Sequence, residues 1–98
     1  MSETPDRILL VDDESENVKA LERTLRKQFQ VASCTDPNEG LRKAIAEDFA
    51  VVISDQRMPG MLGTDLLAEI AKKKPFTTRV ILTGFTETKE ILDAINRA

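Results

Sequence analysis

The chain has 98 residues, 41% hydrophobic and 32% charged, with a formal net charge of -3, which suits one soluble domain with a modest core and gives no basic field for nucleic acid. Its longest apolar stretch, residues 49–53, falls far short of the roughly 20 residues that cross a bilayer, and the amino-terminal Met-Ser-Glu-Thr-Pro-Asp lacks the basic start and apolar centre of a signal peptide. The lone Cys34 excludes an internal disulfide framework and CxxC metal chemistry and suits a reducing compartment, so the expected location is the cytoplasm.

Ile8-Leu-Leu-Val11 is continuously apolar and is followed at once by polar turn residues, the pattern of a strand buried on both faces. From about 15 to 28, Val18, Leu21 and Leu25 recur at helical spacing between Lys, Glu and Arg, giving an amphipathic helix. Residues 30–34 make a short second strand. Asp36-Pro37-Asn38-Glu39 then starts a helix, with Asp as N-cap, Pro at the first position and Glu at the third; it is expected to run to about Asp48 and to bury Leu41, Ala44 and Ile45. Residues 50–54 form a third strand, and a loop containing Pro59-Gly60 and Gly63 leads into a third helix marked by Leu66, Leu67 and Ile70 and ending near Lys74. Residues 78–82 form a fourth strand. Thr83-Gly84-Phe85 turns into a last helix with Ile91, Leu92 and Ile95 as its apolar stripe.

Four strand-helix units with continuously apolar strands imply a doubly wound parallel sheet covered on both faces by right-handed crossovers. Ligands of such sheets bind outside the carboxyl ends of the strands, where the strand order reverses. Asp12, Asp13, Asp55 and Thr83 all fall at that edge. Carboxylates brought this close raise one another's pKa unless a cation joins them, so the cluster asks for a divalent metal.

Val11-Asp12-Asp13-Glu14, the loop Asp55-Gln-Arg-Met58-Pro59-Gly-Met-Leu-Gly63 and Ile81-Leu82-Thr83-Gly84 together resemble, in order and spacing, the receiver domain of two-component response regulators. The resemblance runs from about Arg7 to the end, so residues 1–98 are expected to be one receiver domain. It implies an α/β flavodoxin-like fold, in which the present strands take the order 2-1-3-4. It further implies that Asp55 is the phosphoacceptor, taking a phosphoryl group from a phosphohistidine of a histidine kinase or a histidine phosphotransfer protein. Asp13 would ligate Mg2+ directly, Asp12 largely through water, and Asp55 and the backbone carbonyl of Arg57 would complete the protein's share. Mg2+ favours octahedral oxygen ligands and usually keeps several waters, which suits this set. The Thr83 hydroxyl would bond a phosphoryl oxygen and act as a switch, and Gly84 would leave room beside it.

Each residue also has a purely structural reading. Asp13 with Glu16 fits the capping box of the first helix, although capping leaves Asp12 unexplained. Asp55 fits an Asx-turn opening the loop. Thr83 or Thr86 fits a cap of the last helix. Met58, Met61 and Phe85 read as packing or loop-surface residues, and Lys72, Lys73 and Lys74 as cations at the negative end of a helix. Two other functions share the scaffold: an interaction or dimerisation module that works without phosphorylation, and an aspartate-nucleophile phosphohydrolase. The first predicts partner affinity unchanged by Asp55→Asn; the second predicts turnover of a small phosphate ester.

Two departures from the family pattern stand out. Leu62 replaces the small polar or acidic residue common before the loop's last glycine. The sequence also ends after the fourth helix, whereas the family continues to a fifth strand, bearing a lysine that pairs with the phosphorylated aspartate, and a fifth helix. Lys72, Lys73, Lys74 and Lys89 lie on helices and do not fit that role. The expectation is an open edge along Val80-Ile-Leu82, inviting a homodimer, a domain-swapped oligomer or a strand supplied from elsewhere.

Overall fold

The computed structural model describes residues 6–83 together with 93 and 95. Its elements follow in the order β1 (Arg7–Val11), α1 (Ser15–Leu25), β2 (Gln30–Cys34), α2 (Pro37–Ala46), β3 (Val51–Asp55), α3 (Gly63–Lys73) and β4 (Thr78–Leu82). All neighbouring strands are parallel, and their order is β2-β1-β3-β4. This is the flavodoxin-like order that the resemblance implied, on the doubly wound parallel sheet expected from the strand-helix alternation. The expected last helix, with Gly84, Phe85, Thr86, Ile91 and Leu92, lies outside the described residues; of its apolar stripe, Ile95 is half-buried.

The uninterrupted apolar strands are explained by two cores, one on each side of the sheet. Leu9, Val11 and Val52 face Ala44 of α2 and Leu66, Leu67 and Ile70 of α3, with Phe49 and Met58 closing the cluster. Ile8, Leu10, Val51 and Ile53 face the other way, onto Leu25 of α1, with Ile95 packed against the edge of that cluster. Successive side chains of a strand point to opposite faces, so a strand covered on both sides is apolar at nearly every position, and the buried Ser54 of β3 needs a hydrogen-bond partner. Met58, read from sequence as packing or loop surface, belongs to the core, and Met61 packs against it.

The burial of α2 differs from expectation. Pro37, Gly40 and Ala44 are its buried residues, Leu41 is half-buried, and Ile45 is 37% exposed. The helix approaches the sheet through Gly40, where an added Cβ would stand 2.7 Å from Cγ2 of Val11. That contact line fixes the rotation of the helix and turns Ile45, about 100° past Ala44, toward its flank. Its start is as read: the Asp36 side chain accepts from the Asn38 amide at 3.3 Å, with Pro37 in the first turn. The edges of the elements shift by one to three residues, and one shift matters, because β3 runs on to include Asp55.

At the amino ends of the strands an ion-pair group ties the turns together. Arg7 donates to Glu47 at 2.6 Å and lies over the Phe49 ring, 4.5 Å from its centroid. Lys43 also reaches Glu47, and Lys74 holds Asp48.

Candidate functional site

Strand register assembles the site. Val11 is level with Ser54, so Asp12 emerges from β1 beside Asp55 at the end of β3. Asp55 is in turn level with Leu82, which puts Thr83 at the same edge, exposed at the exit of β4. One carboxylate oxygen from each of Asp12, Asp13 and Asp55 lies within 4.8 Å of the other two. Asp12 is buried and Asp55 half-buried. No ion pair among the described residues reaches any of the three.

Burial first, and then the Asp12 charge, push the Asp55 carboxyl above the usual aspartate range, with smaller pushes from Asp13 and Glu14; a backbone hydrogen bond from Gln56 works in the opposite direction. Two unit charges 4.8 Å apart repel by about 3 kcal/mol at an effective dielectric of about 20. A hard divalent cation removes that cost. Three converging carboxylates supply the oxygen donors Mg2+ selects, in fewer than the number it coordinates, so waters and a phosphoryl oxygen have places.

The local turn assigns different tasks to the adjacent acids. Oδ1 of Asp12 accepts from the Glu14 amide at 2.9 Å, which fixes its carboxylate and opens the turn into α1. The N-cap of α1 is Glu14, and its side chain makes no cap hydrogen bond. The capping box that was the alternative role of Asp13 with Glu16 therefore does not form. The helix starts one residue later than that box needs, and Asp12 holds the turn, leaving Asp13 to the cluster.

Asp55 is fixed from behind. Ser54, fully buried, donates its hydroxyl to the Asp55 carbonyl at 2.9 Å. The backbone of Gly63 lies directly on the same carbonyl, so that a Cβ there would overlap its oxygen. The glycine is thus required by close approach, and it brings the start of α3 against the end of β3.

Gln56 closes the loop between them. Its amide donates to the Leu82 carbonyl at 3.2 Å, and its carbonyl accepts from the Gly63 amide at 2.9 Å. Its side-chain Oε1 accepts from the Thr64 amide at 2.9 Å, while Nε2 donates to the Thr64 hydroxyl at 3.3 Å. The N-cap of α3 is Leu62, which has no side-chain acceptor. A residue eight positions earlier thus satisfies an amide that the local cap leaves open.

Of the residues singled out by sequence, Asp12, Asp13 and Asp55 are brought together, Thr83 stands at the same edge, and Arg57 lies exposed in the loop two residues beyond Asp55. Gly84 falls outside the described residues. Lys72 pairs with Glu69, and Lys74 with Asp48 at the opposite end of the sheet. Ser54 and Gln56 were missed by sequence reasoning. Ser54 reads only as the polar tail of an apolar strand. For Gln56 one signal exists: a helix whose preceding residue cannot cap must find an acceptor elsewhere.

A family model described as the response regulator receiver domain matches residues 8–98. The hydrogenase transcriptional regulatory protein HoxA of Cupriavidus necator is 33% identical over 98 residues, covering 100% of this chain and 20% of that protein. The transcriptional regulatory protein GlrR of Escherichia coli is 40% identical over 85 residues, covering 86% of this chain and 19% of that protein. The chain spans about one-fifth of the length of these curated relatives. Among solved structures, the response regulator protein TrrA from Thermotoga maritima in complex with Mg(2+)-BeF aligns with a TM-score of 0.78 and 32% identity, covering 83% of this chain and 71% of that one.

Proposed function

The chain belongs to the response regulator receiver family of two-component systems, and from that membership we propose that Asp55 accepts a phosphoryl group from a phosphohistidine, with Asp12, Asp13, Asp55 itself and the Arg57 carbonyl holding Mg2+. The observation that carries the proposal is the convergence of Asp12, Asp13 and Asp55 within 4.8 Å at the carboxyl ends of β1 and β3. The TrrA structure, solved with Mg(2+)-BeF, supports the same ligand chemistry here.

In this reading an Asp55 carboxylate oxygen attacks phosphorus in line with the donor imidazole nitrogen. The phosphorus–nitrogen bond breaks, its electron pair returns to the imidazole, and an acyl phosphate remains on Asp55. Bound Mg2+ supplies positive charge that offsets the carboxylates and orients the phosphoryl oxygens. The chain's own work is positioning. Ser54 and Gly63 fix the Asp55 carbonyl, the Glu14 amide fixes Asp12, and Asp13 is left to ligate directly. Thr83 donates its hydroxyl to a phosphoryl oxygen and moves inward as it does so, which shifts the balance between two states of the domain.

The proposed donor is a histidine kinase or histidine phosphotransfer protein, and the proposed setting is the cytoplasm. No helix among the described residues is long and apolar enough to cross a membrane. The names of HoxA and GlrR describe transcriptional regulators; by analogy, residues 1–98 serve as the phosphorylation-controlled unit of a regulator whose output lies in other segments. In this role the chain is a signalling acceptor that assists its own phosphorylation and dephosphorylation, with no turnover of external substrate.

The test is the intact mass of the chain after incubation with Mg2+ and phosphoramidate, beside Asp55→Asn and a metal-free sample. One phosphoryl adduct, lost in both controls, is the expected result. An adduct that survives Asp55→Asn would refute the assignment.

A further inference from the structure

Gln56 joins Asp55 to two other elements at once, β4 and α3. It follows the proposed phosphoacceptor in sequence, its amide is tied to the end of β4 at Leu82, its carbonyl takes the Gly63 amide, and its side chain caps α3 through the Thr64 amide and hydroxyl. The loop between, residues 57–62, is thereby hydrogen-bonded across its base by Gln56. That loop carries Arg57, whose backbone carbonyl is the proposed fourth ligand.

Leu62 ties this arrangement to the cap of α3. Where a polar residue stands before α3, the helix can be capped locally and the loop is free to adjust without uncapping it. Leu62 is 47% exposed and offers no side-chain acceptor, so the side-chain bond that the exposed Thr64 amide makes is to Gln56. Capping of α3 and closure of the loop are then one event.

Resting on the metal-site reading above, we infer that Gln56 is a positioning residue: by capping α3 across the loop, it holds the residue 57 carbonyl in place for Mg2+. It touches neither metal nor phosphoryl group. Its effect is on the fraction of time the loop presents its carbonyl, and residues that orient metal ligands in this way typically change affinity by about 10- to 100-fold when removed.

The experiment is an amide-resolved NMR titration of the unphosphorylated 98-residue chain with Mg2+, with urea unfolding and amide exchange on the same samples. Gln56→Ala is expected to weaken Mg2+ binding by about tenfold or more, to lose protection of the Thr64 amide and to unfold at lower urea. Adding Leu62→Ser provides a neutral local cap. In that double variant the unfolding midpoint is expected to recover while Mg2+ affinity stays weakened, because a local cap does not tie residue 56 to the helix. Wild-type affinity in Gln56→Ala would overturn the inference. So would recovery of both properties in the double variant, which would make Gln56 a stabilising cap and nothing more. A wild-type chain whose site amides ignore Mg2+ would overturn the metal-site reading itself, a failure visible before any variant is made.

Discussion

Replacing Asp55 by Asn should make the metal-free protein more stable, although it removes the residue on which the proposed function depends. The side chains have nearly the same shape, so packing changes little, and the difference is the charge. Asp12 and Asp13 each place a carboxylate oxygen within 4.8 Å of Asp55. One such pair costs about 3 kcal/mol at an effective dielectric of about 20 and about 1 kcal/mol in bulk water. Because Asp55 is half-exposed, screening pulls the net value toward the lower figure, and a gain of about 1–2 kcal/mol is expected. With the urea dependence usual for small domains this moves the unfolding midpoint up by roughly half to one molar. The pH dependence has a fixed sign. The folded-state pKa of Asp55 lies above the ordinary aspartate value, so below about pH 4 both states are protonated and the strain is absent. The strain grows as pH rises from the unfolded-state pKa through the folded-state one and is complete above it. The advantage of Asn should therefore be largest near neutral pH in EDTA, shrink toward pH 3, and fall away in saturating Mg2+, which stabilises only a fold that binds it. Urea midpoints for both proteins, with EDTA or Mg2+ at several pH values, measure this. An Asn variant no more stable than wild type in EDTA at pH 7, or an advantage unchanged by Mg2+, would refute the reasoning.

Two further outcomes test the frame around the site. Gly63→Ala replaces a residue with poor helix propensity, a change worth up to about 1 kcal/mol in a helix interior, but the new Cβ would overlap the Asp55 carbonyl oxygen. Overpacking against backbone typically costs about 1–3 kcal/mol, so the variant should unfold at lower urea and accept phosphate more slowly; equal or greater stability would show that the carbonyl yields. At the opposite end of the sheet, hydrogen bonds from Arg7, and then Lys43, hold the Glu47 carboxyl below its ordinary range. Its stabilising contribution is present above the unfolded-state pKa and is lost as pH falls through the folded-state one. Glu47→Gln should therefore flatten the acid side of the stability profile near and below pH 4 and leave phosphoacceptance intact. An unchanged slope there would show that the pair contributes nothing measurable.

The fold was legible because its signals are short-range. Runs such as Ile8-Leu-Leu-Val11 and Val51-Val-Ile53, short and bounded by polar turn residues, read as strands covered on both faces, and β4 ends where its apolar run stops. The acids at the carboxyl ends of β1 and β3 were legible for the same reason, since in a parallel sheet those ends lie at one edge. What failed depended on choices between neighbours. Sequence pattern offered Asp13 a capping box as the alternative to ligation and no turn role for Asp12; the structure gives the turn to Asp12 through the Glu14 amide. Ile45 fits a helical stripe by spacing, but the close approach at Gly40 rotates that stripe past it.

Gln56 is the instructive case, because the need for it was written locally and its source was not. Every helix starts with amides that its own carbonyls cannot reach, which take side-chain acceptors or water. A helix beginning after Leu62 therefore announces a missing acceptor. Only the fold shows that the acceptor comes from the residue next to Asp55, so that the same hydrogen bond which completes α3 also closes the loop beside the carboxylate cluster. In a chain with a polar residue at position 62 those two demands would be met separately. Here they are met together, so a perturbation at the start of α3 is expected to be felt at Asp55 through Gln56.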